Sequence, residues 1–205
     1  MSSGTSNQED SREVIMASDD LFSQNLVIRV LRDQVQRAGR LAHTIPELQP
    51  MNDEQEKLLE QMAEVIILYG DDLDRDVKFK NMVDGFARVA DSQSFLMLVD
   101  KVFVDGITWG KIVMLICVVG KSLAKILADL VSVIVSWTLD YFKNKLLYWI
   151  CNMGGWINSI SSLAHYSYEQ DSGSSTSLVS PFSGVVFISG LLLGGLIVWR
   201  LNRCA

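Results

Sequence analysis

The strongest constraint on the fold is a long apolar stretch at residues 106–127, GITWGKIVMLICVVGKSLAKIL. From Trp109 to Lys121 a helix built on it is apolar on nearly all sides, so other helices or lipid must surround it. Gly106 permits a turn before this helix, and Thr108 is placed to cap it. Charges at the middle of a bilayer cost about 2.5–3.5 kcal/mol each. Lys121 and Lys125 therefore favour a buried or interfacial position of this helix over a transmembrane crossing.

Length and proline content indicate one all-α domain. The chain has 205 residues, enough for a single central core. Its three prolines leave the region between Pro50 and Pro181 free of helix breakers, which favours long helices over a sheet.

Apolar periodicity predicts further helices around the apolar stretch. A second apolar segment, 130–150, is expected to pair with it as a central hydrophobic hairpin, and Gly154 and Gly155 end that segment. The surrounding helices are amphipathic. They are predicted from a cap at Asp19 or Asp20, from Asn52, at 79–90 and at 95–103. The last two are separated by a capping sequence, DSQS, that begins at Asp91.

Charge and cysteine content narrow the partners and the compartment. Residues 1–105 carry a net charge of −9 and residues 106–205 a net charge of +3, a pattern suited to an anionic lipid surface rather than to nucleic acid. Cys117, Cys151 and Cys204 show neither disulfide nor zinc spacing, so we expect no cofactor, no metal and a reducing, cytosolic environment. Cys117 and Cys151 are interpreted as buried packing residues.

The C-terminal residues 182–199 predict a membrane anchor. This uncharged stretch, FSGVVFISGLLLGGLIVW, spans about 27 Å as a helix, enough for one crossing of a hydrocarbon core. A buried core helix is the alternative. Residues 1–18 are expected to be a disordered N-terminus, residues 19–168 the helical bundle and residues 169–181 a linker. The residues singled out in the anchor are Phe182, Gly190, Gly194, Trp199 and Arg200.

Three ordered motifs resemble those of the B-cell lymphoma two (Bcl-2) family of apoptosis regulators. MAEVIILYGDDLD resembles the third homology region, or death motif, DGITWGKIVML the first and GGWINSI the second. The resemblance implies a bundle of eight or nine helices around the hairpin, a C-terminal tail anchor and a surface groove that accepts a death-motif helix. The implied groove and homology-region residues are Thr108, Trp109, Gly110, Lys111, Val113, Leu115, Gly154, Gly155, Trp156 and Ile157.

The death-motif segment also has a pattern of its own. Its apolar residues recur at spacings of three and four and so share one helix face, whereas Gly70 offers a flank without a side chain where another helix can approach. An ordinary amphipathic core helix is the alternative for this segment alone. In the family an arginine faces the motif aspartate; Lys111 takes its place here, so we expect an Asp71–Lys111 contact weaker than one made by arginine. The death-motif residues are Leu59, Met62, Ile66, Tyr69, Gly70, Asp71 and Leu73.

The family resemblance implies a function in apoptosis. A pro-apoptotic member would form homo-oligomers by helix-in-groove exchange, bind other family members and death-motif activators, and permeabilise the mitochondrial outer membrane from the cytoplasm. An anti-apoptotic guard of the same fold, which sequesters death-motif helices, is the alternative. A tail-anchored enzyme is the third class; His43 and His165 lie in no recognisable catalytic constellation, so no enzyme is expected.

Overall fold

The computed structural model describes residues 5–40 and 42–156, and this part of the chain is helical. The α-helices are α1 (Thr5–Arg37), α2 (Asp53–Leu73), α3 (Val77–Val89), α4 (Ser92–Val102), α5 (Trp109–Leu123), α6 (Ala128–Tyr141) and α7 (Leu147–Asn152). A 3₁₀ turn lies at Ala42–Thr44, and a π-helical segment, Phe142–Leu146, joins α6 to α7. The all-α prediction is confirmed.

Side-chain caps set several helix starts where the sequence predicts them. The side chain of Asn52 accepts a hydrogen bond from the Gln55 N–H at the start of α2. Asp91 forms a capping box with Ser94 at the start of α4. Thr108 Oγ1 accepts from an N–H in the first turn of α5. Each cap pairs a donor that the first turn of a helix leaves without an intrahelical partner.

The start of α1 differs from the prediction. Residues 5–18, expected to be disordered, form the first turns of α1, and residues 9–18 are exposed. The segment contains neither proline nor glycine after Gly4, so nothing in its backbone chemistry interrupts a helix that continues into the bundle. Asp19 and Asp20 therefore lie inside α1 and do not cap it.

The apolar helix α5 occupies the centre of the bundle. Eleven of its 15 residues are buried, and it packs against α1, α2, α3 and α4. Helix α6, the second half of the predicted hairpin, buries only four of its 14 residues and exposes Ser132, Val133 and Ser136. The core therefore surrounds α5 itself, whereas α6 lies nearer the surface of the bundle. Within residues 5–40 and 42–156, no helix is both long and apolar enough to cross a membrane.

Candidate functional site

The death-motif helix α2 covers the central helix with one apolar face. Four residues predicted to share that face are each less than 7% exposed: Met62, Ile66, Tyr69 and Leu73. Leu59, one turn earlier, is 2% exposed. Burying a side chain of this size contributes about 1.5–3 kcal/mol relative to exposure in water. Much of what holds α2 in place is therefore apolar contact. The buried residues of the predicted motif are Leu59, Met62, Ile66, Tyr69, Gly70 and Leu73.

Helices α2 and α5 approach most closely at Gly70. A Cβ added to Gly70 would lie 3.1 Å from Sγ of Cys117 and 3.5 Å from its Cβ. The same sulfur lies 3.4 Å from the carbonyl oxygen of Ile66 and is fully enclosed, so burial raises the pKa of the Cys117 thiol. The prediction that another helix approaches at Gly70 is confirmed, and Cys117 is also buried as predicted.

The C-terminal ends of three helices meet at one end of this site. Arg29 pairs with Glu60 and Arg37 with Asp71, so α1 and α2 run in the same direction. Helix α5 also runs parallel to α2, because Cys117 contacts Ile66 and, further along both helices, Lys121 contacts Asp71. Parallel helices place their negative dipole ends side by side, which is unfavourable without nearby cations.

Cations from α1 and α5 surround the acidic end of α2. Lys121 Nζ lies 2.6 Å from Asp71 Oδ1 and 2.7 Å from Asp74 Oδ2, whereas Arg37 lies 3.1 Å from Asp71 Oδ2. Burial lowers the pKa of Lys121, but hydrogen bonds to the two carboxylates outweigh burial and hold this pKa above its usual value. We call Arg37, Asp71, Asp74 and Lys121 the ion cluster. Nearby, Arg40 donates to the carbonyl oxygens of Leu123, the last residue of α5, and of Ile126 beyond it.

The expected contact between Asp71 and Lys111 is wrong. Lys111 lies in the first turn of α5, where its Nζ donates to the Gly106 carbonyl at 3.2 Å and lies 3.9 Å from Asp105. Ten residues along a helix correspond to about 15 Å, so a lysine at that end cannot reach the end of α2. Lys121 makes the contact instead.

Three tryptophans connect the first and second homology regions. The ring centroid of Trp109 lies 5.1 Å from that of Trp149 and 5.2 Å from that of Trp156. Trp156 Nε1 donates to Ser23 Oγ at 2.7 Å, and this hydroxyl donates to the Asp19 carbonyl at 2.6 Å. The indole of Trp156 is 2% exposed, so its hydrogen bond is made inside the core. Helix α1 thus supports the second homology region.

The glycine pair of the second homology region forms a turn that only glycine adopts readily. Gly154 and Gly155 have φ of 85° and 74°. A Cβ on Gly155 would lie 2.8 Å from an Asp19 carboxylate oxygen. Burial raises the pKa of Asp19, although hydrogen bonds from Cys151 and the Trp156 backbone act in the opposite direction. Burial and the neighbouring carboxylate raise the pKa of Cys151 to about 11, and this thiol is partly exposed rather than fully buried as predicted.

The remaining predicted site residues divide between α5 and the undescribed C-terminal part. Val113 and Leu115 are buried in α5 beside Trp109, and Gly110 and Lys111 are partly exposed. Ile157, the linker and the whole predicted anchor, with Phe182, Gly190, Gly194, Trp199 and Arg200, lie outside the described residues.

Three functional features of the site were missed by sequence reasoning: Cys117 under Gly70, Lys121 in the ion cluster, and Asp19 at the glycine turn. Only the position of Lys121 had a signal in the sequence. The last turn of α2 contains acids and no base, so a cation from another helix could have been expected there. The arrangement binds one amphipathic helix against a buried apolar one. Among residues 5–40 and 42–156, no group of three His, Cys, Asp or Glu side chains is arranged to hold a metal ion.

The described residues thus form a helical bundle in which an amphipathic helix covers a buried apolar one, and sequence comparison finds proteins similar to this chain. Residues 66–156 match the family described as apoptosis regulator proteins, Bcl-2 family. This part of the chain is therefore similar to the Bcl-2 family of apoptosis regulators.

Relatives that align with most of the chain are Bax proteins. The chain is 27% identical to mouse apoptosis regulator BAX over 169 residues, which cover 80% of this chain and 81% of the relative. It is 26% identical to human BAX over 195 residues, which cover 93% of this chain and 91% of the relative. Rat Bcl-2-like protein 1 is 40% identical over 70 residues, only 31% of this chain and 29% of the relative.

Solved structures agree on the fold. Chicken BOK superimposes with a TM-score of 0.58 at 19% identity, covering 72% of this chain and 98% of that one. Geodia cydonium BHP2, solved in complex with Lubomirskia baicalensis Bak-2, gives a TM-score of 0.51 at 18% identity. The superposition covers 71% of this chain and 93% of that one.

Proposed function

We propose that this protein is a pro-apoptotic, Bax-like regulator that oligomerises and permeabilises the mitochondrial outer membrane, with release of cytochrome c and activation of caspases. The observation that carries the proposal is the interface between α2 and α5: a motif helix with a continuous apolar face covers the most apolar helix of the bundle. The alignment with Bax proteins over 80–93% of the chain supports the pro-apoptotic direction.

The proposed mechanism begins with the release of α2. An activating death-motif helix binds the groove and lowers the free energy of the open state, in which the face from Met62 to Leu73 is exposed. That face then docks in the groove of a second molecule, in the region of residues 108–115 and 154–157. Reciprocal docking gives a closed dimer with two-fold symmetry. A related protein, BHP2, has been solved in complex with a Bak-2 partner, which supports partners from within the family.

The release of α2 also uncovers α5. In the closed bundle most of α5 is buried, and the lysines at its C-terminal end pair with acids on neighbouring helices. Once uncovered, α5 and α6 are proposed to lie in the plane of the membrane, with their lysines among the headgroups and their apolar sides in the lipid. The cytoplasm and the mitochondrial outer membrane are the proposed locations, with residues 182–199 as the single-pass anchor.

Vesicles that contain cardiolipin provide the test. The full chain is mixed with a peptide that copies its own residues 55–76, and release of an enclosed dye is followed. We expect release that requires both protein and peptide. The control is the same peptide with Ile66→Glu and Leu73→Glu, which removes two positions of the apolar face and should not activate.

The same assay separates the anti-apoptotic alternative. A guard of this fold would bind the peptide without releasing dye, and it would reduce the release caused by Bax added to the same vesicles. That pair of results would refute the pore-forming proposal and favour the guard.

A further inference from the structure

The acidic C-terminal end of α2 cannot be stabilised by α2 alone. Asp71, Asp72 and Asp74 lie in or just after its last turn, and that turn contains no basic residue. Negative side chains at the negative end of the helix dipole are unfavourable. The end of α2 therefore depends on cations that other helices supply.

Lys121 has the best geometry for this role. Its side chain is 16% exposed and its Nζ contacts two carboxylates, on Asp71 and Asp74. Its stem passes the face of Gly70, where a Cβ would lie 3.8 Å from Lys121 Cε. Arg37 contributes from α1, but its side chain is 53% exposed and it shares its charge with Asp33. Exposed pairs of that kind contribute little.

The location of Lys121 couples the ion cluster to the buried helix. One turn before it on α5 lies Cys117, enclosed beneath Gly70 and Ile66 of α2. When the end of α2 separates from Lys121, the contact at Cys117 is the next one along the interface. Opening that begins at the acidic end would therefore expose the thiol of Cys117.

We propose that Lys121 is the residue that keeps α2 closed on α5, so that weakening its pairs with Asp71 and Asp74 raises the population of molecules with α2 released. This inference rests on the proposed function, in which α2 must be released, and it adds the residue that controls release. Apolar contacts bind α2 along its length, whereas the ion cluster controls the end from which it opens.

Reaction of Cys117 with a soluble thiol reagent measures the open population without any membrane. In a chain that carries Cys151→Ser and Cys204→Ser, Cys117 is the remaining cysteine. Its labelling rate is proportional to the population with α2 released, provided that closing is fast compared with the reaction. We expect Lys121→Met, which keeps the apolar stem and removes the charge, to raise the rate about tenfold. Lys121→Arg keeps the charge and should stay close to the parent.

A second lysine, two residues after the end of α5, gives a matched control. Lys125 pairs at 2.7 Å with Asp84 on α3, not with α2, and both side chains are 53% exposed. Lys125→Met should change the labelling rate less than about twofold, because it leaves the contacts of α2 intact. Equal effects of the two substitutions would overturn the proposal.

Hydrogen exchange distinguishes local opening from general loss of stability. We expect Lys121→Met to accelerate exchange of the α2 amides near Asp71 while the buried amides of α1 near Leu31 keep their rates. Equal acceleration in both helices would overturn the proposal, because it would show only global destabilisation.

Salt provides a readout specific to charge. Raising the salt concentration from 0.02 to 0.5 M, values chosen to shorten the Debye length severalfold, should increase the parent's labelling rate about threefold and leave Lys121→Met nearly unchanged. Dye release is then measured on the same variants. Faster labelling without dye release would refute the proposed function and leave the role of Lys121 intact, whereas unchanged labelling would refute the role of Lys121 whatever the vesicles show.

Discussion

The close approach of α2 and α5 predicts that the effect of Gly70→Ala depends on Cys117. In the parent, the new methyl group would lie 3.1 Å from Sγ, closer than an ordinary contact. Overpacking of this kind costs about 1–3 kcal/mol, whereas replacing a helical glycine with alanine gains about 0.5–1 kcal/mol. We therefore expect Gly70→Ala to lower the free energy of unfolding by up to about 2.5 kcal/mol.

The same substitution should have the opposite sign in a Cys117→Ala background. Without the sulfur, the nearest atom is the Cβ of residue 117 at 3.5 Å, an ordinary contact, and the new methyl group fills part of the vacated space. Gly70→Ala then contributes its gain in helix propensity, about 0.5–1 kcal/mol. The coupling between the two sites is expected to be about 1–3 kcal/mol.

The parent, the two single variants Gly70→Ala and Cys117→Ala, and the double variant form a double-mutant cycle. Urea unfolding of these four proteins measures the coupling, and equal m-values show that their denatured states are comparable. Gly85→Ala is the matched control. Gly85 lies inside α3 and a Cβ there would meet no atom within 4 Å, so alanine should stabilise both backgrounds by a similar amount. If Gly70→Ala has the same effect with and without the sulfur, the reasoning about the interface is refuted.

Three further predictions test the supports of the site. Gly155→Ala should lower the free energy of unfolding by about 1–3 kcal/mol, measured in urea, because φ is positive and a Cβ would lie 2.8 Å from Asp19; an unchanged value would contradict the described turn. Asn25 is buried and makes two hydrogen bonds to the backbone of the loop after α1, so Asn25→Ala should cost about 1–3 kcal/mol and accelerate proteolysis of that loop; resistance equal to the parent's would contradict this. The Ser94 backbone and hydroxyl hold the pKa of Asp91 below its usual value, so the stability from its ionised form is present above about pH 4 and is lost as the pH falls through the folded-state pKa. Unfolding of the parent and Asp91→Asn is compared between pH 2 and 7, the chosen range. The stability that the parent has over the variant should fall as the pH is lowered, and a difference independent of pH would contradict this.

Local backbone chemistry made several helix boundaries predictable. Asn52, Asp91 and Thr108 are capping residues next to apolar periodic segments, and each caps a helix in the structure. The paired glycines at 154 and 155 interrupt the last helix because both adopt positive φ. Such signals depend on only a few neighbouring residues, so a single sequence contains them.

The contacts between helices were less predictable, because they depend on how the helices are aligned. The motif face of α2 follows from its spacing, but which lysine meets Asp71 depends on the direction and offset of α5 against α2. The family pattern suggested Lys111, and the parallel packing selects Lys121. The support of Gly155 by Asp19 likewise joins residues far apart in the chain, and no local pattern encodes it.

The central claim is that α2 must leave α5 before a membrane is permeabilised, and a disulfide between the two helices tests it most directly. A Cβ at position 70 would lie 3.5 Å from the Cβ of Cys117, at the short end of the range for disulfides, so Gly70→Cys should cross-link to the native cysteine on oxidation. The experiment uses the chain with Cys151→Ser and Cys204→Ser, and Gly70→Cys with Cys117→Ala is the control that cannot cross-link.

Dye release from cardiolipin vesicles is measured before and after reduction. The account predicts that the oxidised protein releases no dye in the presence of the activating peptide, and that reductant restores release. The control should be insensitive to reductant. Equal release by the oxidised and reduced proteins, with the cross-link verified by mass spectrometry, would contradict the claim.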